Sequence, residues 1–167
     1  MTDETRCGFA ALVGAPNAGK STLLNRMAGA KLSIVSPKAQ TTRFRVLGIL
    51  MRDRTQILIV DTPGIFRPRR KLDRAMVAAA WSGSEDADVT LLLIDAKSGL
   101  DEAALAVVKQ LAAAKRRVWP VLDKADLGTP HALVPPARAT SQMIEVDEVF
   151  LIRARSGTCR GGCPGPP

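Results

Sequence analysis

The most constraining feature of the chain is the stretch GAPNAGKST, residues 14 to 22, in which Gly14, Gly19, Lys20 and Ser21 stand in the spacing G-x-x-x-x-G-K-[ST]. The apolar run GFAALVG (8–14) precedes it. KSTLLNRMAG (20–29) follows, with Leu23, Leu24 and Met27 at helical spacing and a glycine as the stop. A glycine-rich turn between a buried strand and a helix aims backbone N–H groups and the positive helix end at one point, which suits phosphate. Gly14, Ala18, Gly19, Lys20, Ser21 and Thr22 are therefore candidate nucleotide-binding residues. In this motif Lys20 reaches the β- and γ-phosphates and the Ser21 hydroxyl is placed to ligate Mg²⁺.

The elements beyond this loop alternate. RFRVLGILM and QILIVD read as two strands joined across the charged turn RDRT, at hairpin spacing. A helix is expected from about Leu72 to Trp81, then the strand DVTLLLID, the helix DEAALAVVKQLAAAK and the strand RVWPVLD, in which Pro120 is unwelcome at a central position. Pro130, Pro135 and Pro136 confine any next helix to roughly Ala137 to Met143. DEVFLI is the final strand. This order predicts an α/β fold of three layers, αβα, around a mostly parallel sheet with one antiparallel edge strand. The tail at 156–167 is rich in Gly, Pro and Cys and is expected to be disordered, without the helix that would cover the last strand.

At 167 residues the chain suits one domain. No apolar run approaches the length of about 18 residues that a membrane span needs. The opening MTDETRCGFA carries acids where a targeting peptide carries basic residues, which predicts a cytoplasmic protein. Cys7, Cys159 and Cys163, with a single His, make neither a disulfide framework nor a zinc set. A net charge of +8 favours polyanionic partners, and the cluster Arg67, Arg69, Arg70, Lys71 and Arg74 is a candidate RNA or acidic-partner contact.

Further polar residues fall where strands end. Asp61, in VDTPG, closes a strand and on a parallel sheet lies on the ligand side, where it can hold Mg²⁺ through a water; the Gly64 N–H can meet the γ-phosphate. In QTTR (40–43), Thr42, favoured over Thr41, can add its hydroxyl to Mg²⁺. In DKAD (123–126), Asp126 is an acceptor-only fork that fits guanine N1–H and the 2-amino group and rejects adenine. Lys124 lays its stem along the base plane. The ligand expected from these residues is GTP or GDP with Mg²⁺, and an adenine-specific enzyme is disfavoured.

With GAPNAGKST, KAQTTR, DTPGIFRPRRKLDRAM and DKAD in this order, residues 7–155 resemble the G domain of the Era family of bacterial ribosome-assembly GTPases, closely to about residue 128. The resemblance implies a P-loop NTPase fold, GTP hydrolysis in which Lys20, Thr42 and Gly64 take part, and a following KH domain that binds the 3′ end of 16S rRNA on the small ribosomal subunit. Only the first domain is expected in this chain, as a monomer, with family members also found peripherally at the inner membrane. Asn17 matches an asparagine that helps bind potassium in related GTPases. Ile65 stands where Ras-like proteins place a catalytic glutamine, which implies slow turnover. Two positions depart from the pattern: Asp123 replaces an asparagine, and Arg153 replaces a serine, while the backbone N–H of Ala154 is still expected to reach guanine O6. The alternative is a nucleotide-binding fragment with little or no GTPase activity.

Overall fold

The computed structural model describes residues 5–32, 46–61, 87–115, 118–124, 130–146, 148–154 and 158–160. Its strands are β1 (Arg6–Gly14), β2 (Val46–Arg52), β3 (Thr55–Asp61), β4 (Val89–Asp95), β5 (Val118–Asp123), β6 (Phe150–Arg153) and β7 (Thr158–Arg160); its helices are α1 (Lys20–Ala28), α2 (Glu102–Ala114) and α3 (Pro130–Met143). The strands form one sheet in the order β2-β3-β1-β4-β5-β6-β7. The pairs from β3 to β6 are parallel.

Alternation along β1 explains the layers. Ala11 and Val13 point into a core shared with Leu92, Ile94, Val107, Val108 and Leu111, which is the side of α2. Ala10 and Leu12 point the other way, into a core with Leu24 of α1, Ile59, Leu93 and Val121. Both faces of the central strands are thus buried, as near-continuous apolar runs require. The αβα expectation holds.

Three details differ from the sequence reading, and the strand through Pro120 is as expected. The β2–β3 turn is only Asp53 and Arg54, because Asp53 takes a left-handed φ of 50° that an aspartate tolerates. Pro120 does lie in β5, paired in register with Leu92. β6 joins β5 only from Val121, so the lost N–H interrupts little pairing on that side.

The helix confined to Ala137–Met143 instead spans Pro130–Met143. Pro130 starts it, where a missing N–H costs nothing. Pro135 and Pro136 sit inside, and the Pro136 ring packs near Gly99 while its carbonyl accepts from Thr140 Oγ1 at 2.8 Å. Tertiary contact outweighs local preference there. Finally, β7 lies within the tail expected to be disordered and pairs antiparallel with β6. The sheet therefore has an antiparallel strand at each edge rather than at one, since a strand at β6 with unpaired backbone groups is an open template for pairing. The expected helix at 72–81 and tail residues 161–167 lie outside the described residues.

Candidate functional site

The C-terminal ends of β1, β3, β4 and β5 converge on one edge of the sheet, the usual ligand side of an open α/β fold. The loop after β1 turns there because of two glycines. A Cβ on Gly14 would come 2.6 Å from the Leu93 carbonyl oxygen, so the chain passes too close to β4 for any side chain. Gly19 adopts φ 106°, and a Cβ there would overlap Oδ2 of Asp123. Helix α1 starts immediately after Gly19 with no side-chain cap, which leaves its first N–H groups aimed into the loop.

Lys20 folds back over this loop. Its Nζ donates to the carbonyl oxygens of Gly14 at 3.1 Å and Ala15 at 2.9 Å. It is 6% exposed, and burial lowers its pKa to about 8, with Asp61 pulling the other way. An ammonium held on two neutral carbonyls is ready to exchange them for phosphate oxygens.

Behind it, Ser21 Oγ donates to Oδ2 of Asp61 at 2.7 Å. Asp61 is fully buried at the end of β3, and its Oδ1 accepts no hydrogen bond. A hydroxyl and a carboxylate with spare acceptor capacity are hard oxygen donors of the kind Mg²⁺ prefers. Among the described residues no group of three or more His, Cys, Asp or Glu could hold a metal. Ser21 and Asp61 thus fit an ion completed by waters and phosphate oxygens rather than an all-protein cage.

The β5 end of the site is built on Asp123, 3% exposed. Its Oδ1 accepts from the backbone N–H of Lys124 at 2.7 Å and of Ala154 at 2.8 Å. The Ala154 N–H assigned to guanine O6 is therefore directed at Asp123 in this structure. Burial raises the Asp123 pKa, and those two N–H groups oppose the rise. Lys124, in a left-handed turn at φ 60°, sends Nζ to Oδ2 of Asp95 at 2.5 Å and to the Asn17 carbonyl at 3.4 Å. Asn17, itself at φ 64°, is exposed at the loop apex.

Between α1 and β6 opens a cavity of about 470 Å³, lined by Thr22, Asn25, Arg26, Gly29, Lys31 and Ala154 among others. Thr22 and Ala154, both expected at the site, meet there. Asn25 was not expected; its Oδ1 accepts from the Leu32 N–H at 2.8 Å and so shapes the turn after α1. Thr42, Gly64, Ile65, Asp126 and the Arg67 to Arg74 cluster lie outside the described residues.

Residues 9–124 match the family of 50S ribosome-binding GTPases. The chain belongs to this GTPase family. It is 50% identical over 153 residues to GTPase Era of Afipia carboxidovorans and 48% identical over 160 residues to GTPase Era of Brucella suis; these alignments cover 92% and 96% of this chain. The chain spans about half the length of the curated relatives it matches. An Era variant from Aquifex aeolicus bound to GDP and AlF4⁻ superposes with a TM-score of 0.84 at 38% identity, covering 92% of this chain and 53% of that one. Era in complex with MgGDPNP and nucleotides 1506–1542 of 16S ribosomal RNA superposes with a TM-score of 0.84 at 35% identity, covering 98% and 60%.

Within this GTPase frame Asp95, like Asn25, escaped the sequence reading. Asp95 ends β4 as Asp61 ends β3 and Asp123 ends β5, and the rule that strand ends face the ligand would have found it. No helix among the described residues is long and apolar enough to cross a membrane.

Proposed function

We propose that this chain is the guanine-nucleotide-binding domain of an Era-type GTPase, hydrolysing GTP to GDP and phosphate with Mg²⁺. The observation that carries the reading is the convergence of Lys20, the Ser21–Asp61 pair and the Asp123–Lys124 turn on one sheet edge, in a chain about half identical to GTPase Era.

In this reading Lys20 leaves the Gly14 and Ala15 carbonyls for the β- and γ-phosphate oxygens. Backbone N–H groups around Ala18 and Gly19 and at the start of α1 cradle the phosphates, and Thr22 follows them toward the ribose side. Ser21 and Asp61 hold Mg²⁺, joined by Thr42; the bound ion supplies positive charge where phosphate charge develops. Gly64 offers its N–H to the γ-phosphate. Lys124 lies along the base and Asp126 accepts from its N1–H and 2-amino group, which excludes adenine. Asn17 is the residue that would contribute to a potassium site. With Ile65 in place of a water-orienting side chain, turnover is slow, and positioning with charge stabilisation performs the work.

The fuller role, by similarity to Era with its 16S rRNA segment, is cytoplasmic assembly of the small ribosomal subunit. A second reading, a nucleotide-binding domain with little turnover, is favoured by the acid at Asp123, which puts acceptors where an amide would also donate. Two measurements decide. GTP binding competed by GDP and not by ATP supports the guanine reading, and equal competition by ATP removes it. Phosphate release in a single-turnover reaction with Mg²⁺ then supports the enzyme over the inactive domain.

A further inference from the structure

Asp95 and Asp123 are registered partners across the parallel β4 and β5 strands. Registered residues stand on the same face of a sheet about 5 Å apart, where two carboxylates repel. The ammonium of Lys124 answers this repulsion from the Asp95 side. It meets Oδ2 of Asp95 at 2.5 Å, while the Asn17 carbonyl stands farther off at 3.4 Å. Asp95 is itself fixed. Its Oδ1 accepts from the Lys97 N–H at 2.9 Å, its carbonyl accepts from the Gly99 N–H at 2.8 Å, and the next residue, Ala96, donates to the Asp123 carbonyl at 2.9 Å. The pairing with Lys124 and the Lys97 N–H outweighs the opposing effect of burial and holds the Asp95 carboxyl below its usual range. Asp95 is therefore a rigid charged post beside a flexible four-carbon stem whose backbone already sits in a left-handed turn.

We propose that Asp95 is the positioning residue for Lys124, holding Nζ so that the lysine stem lies across the floor of the base site, and that it acts on nucleotide affinity only through this lysine. The inference rests on the guanine-nucleotide reading and deepens it. Because Lys124 reaches Asp95 and the Asn17 carbonyl at the loop apex, and in that reading lies along the base rather than at the γ-phosphate, the effect falls equally on GDP and GTP. An unrestrained lysine stem loses rotamer freedom on each binding event, and the ion pair removes that loss in advance.

The test is a double-mutant cycle on GDP and GTP affinity, measured by calorimetry with Mg²⁺ for the full chain, Asp95→Asn, Lys124→Ala and the pair. Asp95→Asn keeps an acceptor for the Lys97 N–H and removes only the charge. It is expected to weaken both nucleotides about fivefold or more. The double variant is expected to bind as Lys124→Ala alone does. Asp95→Glu, which keeps the charge, is expected to recover most of the affinity. Additive losses overturn the inference, because a merely structural aspartate would weaken the site whether or not Lys124 is present. A glutamate variant as weak as the asparagine one overturns it as well. A wild-type chain that binds no guanine nucleotide removes the underlying reading and this inference with it, whereas additivity in a chain that binds removes the inference alone.

Discussion

The backbone N–H of Ala154 donates to Oδ1 of Asp123 at 2.8 Å, joining the end of β6 to the end of β5. The other carboxylate oxygen of Asp123 faces Gly19 in the phosphate-type loop. One buried side chain thereby touches three segments of the site, and its chemistry reaches all of them.

Replacing Asp123 with asparagine keeps the acceptor for Ala154 and Lys124 and adds a donor. GDP and GTP affinity is expected to rise about tenfold, the worth of one buried hydrogen bond to a polar group. Calorimetry on wild type and Asp123→Asn measures it. An unchanged affinity would mean that Asp123 does not limit the pocket.

The same variant carries a pH signature. Burial raises the Asp123 pKa above its ordinary 3.8, so the folded chain keeps a proton that the unfolded chain has already released. Stability from this group is complete below 3.8 and is lost as pH rises through the folded value. The stability difference between wild type and Asp123→Asn, from urea melts over a pH series, should therefore grow with pH across that window and then level off.

Lys20 has the opposite sign. Its folded pKa is about 8 against 10.5 for the free side chain, so between these values the unfolded chain binds the extra proton. The nucleotide-free domain should gain stability as pH rises from about 8 to 10.5, and Lys20→Met should lack that slope. The methionine variant should also lose GTP affinity by about 10- to 100-fold, the loss of charge-assisted hydrogen bonds to phosphate, without loss of thermal stability.

Asp61→Asn leaves a partner for Ser21 and removes the charge facing the proposed ion. Mg²⁺ affinity of the nucleotide complex is expected to fall by about 10- to 100-fold, with little change in nucleotide binding measured in EDTA. Equal losses with and without the ion would argue that Asp61 serves the fold instead.

Gly19→Ala tests the contact between loop and base turn. The methyl group needs space held by Asp123 Oδ2 and a backbone at φ 106° that alanine rarely adopts. Denaturant melts should show a loss of about 2 kcal/mol or more. Adding Asp123→Ala should return part of it, because only the overlap is relieved while the backbone strain stays.

Local patterning made much of this protein legible. The G-x-x-x-x-G-K-S spacing sat between a continuous apolar strand and a 3.6-period helix, so Gly14, Gly19, Lys20 and Ser21 could be placed before any coordinates, and so could the alternating elements that stack α1 and α2 on opposite faces. Such signals are short in sequence, and each residue's neighbours along the chain carry them. The family resemblance identified Asp123 as unusual.

What the chain order could not express is which distant residues meet. The prolines of α3 disfavour a helix locally, yet the helix runs through Pro135 and Pro136 with Pro136 buried, and β7 pairs with the open edge of β6. The Ala154–Asp123 bond spans β5 and β6, and the Lys124–Asp95 pair spans β4 and β5; both depend on strand register, which is a property of the assembled sheet. The sequence by itself determined the glycine–lysine loop after β1 and the order of elements, because these follow from local backbone chemistry and periodicity. The tertiary structure alone decided how Asp123, Asp95 and Lys124 share their hydrogen bonds, because competition among buried donors and acceptors is settled only when the strands that carry them lie side by side.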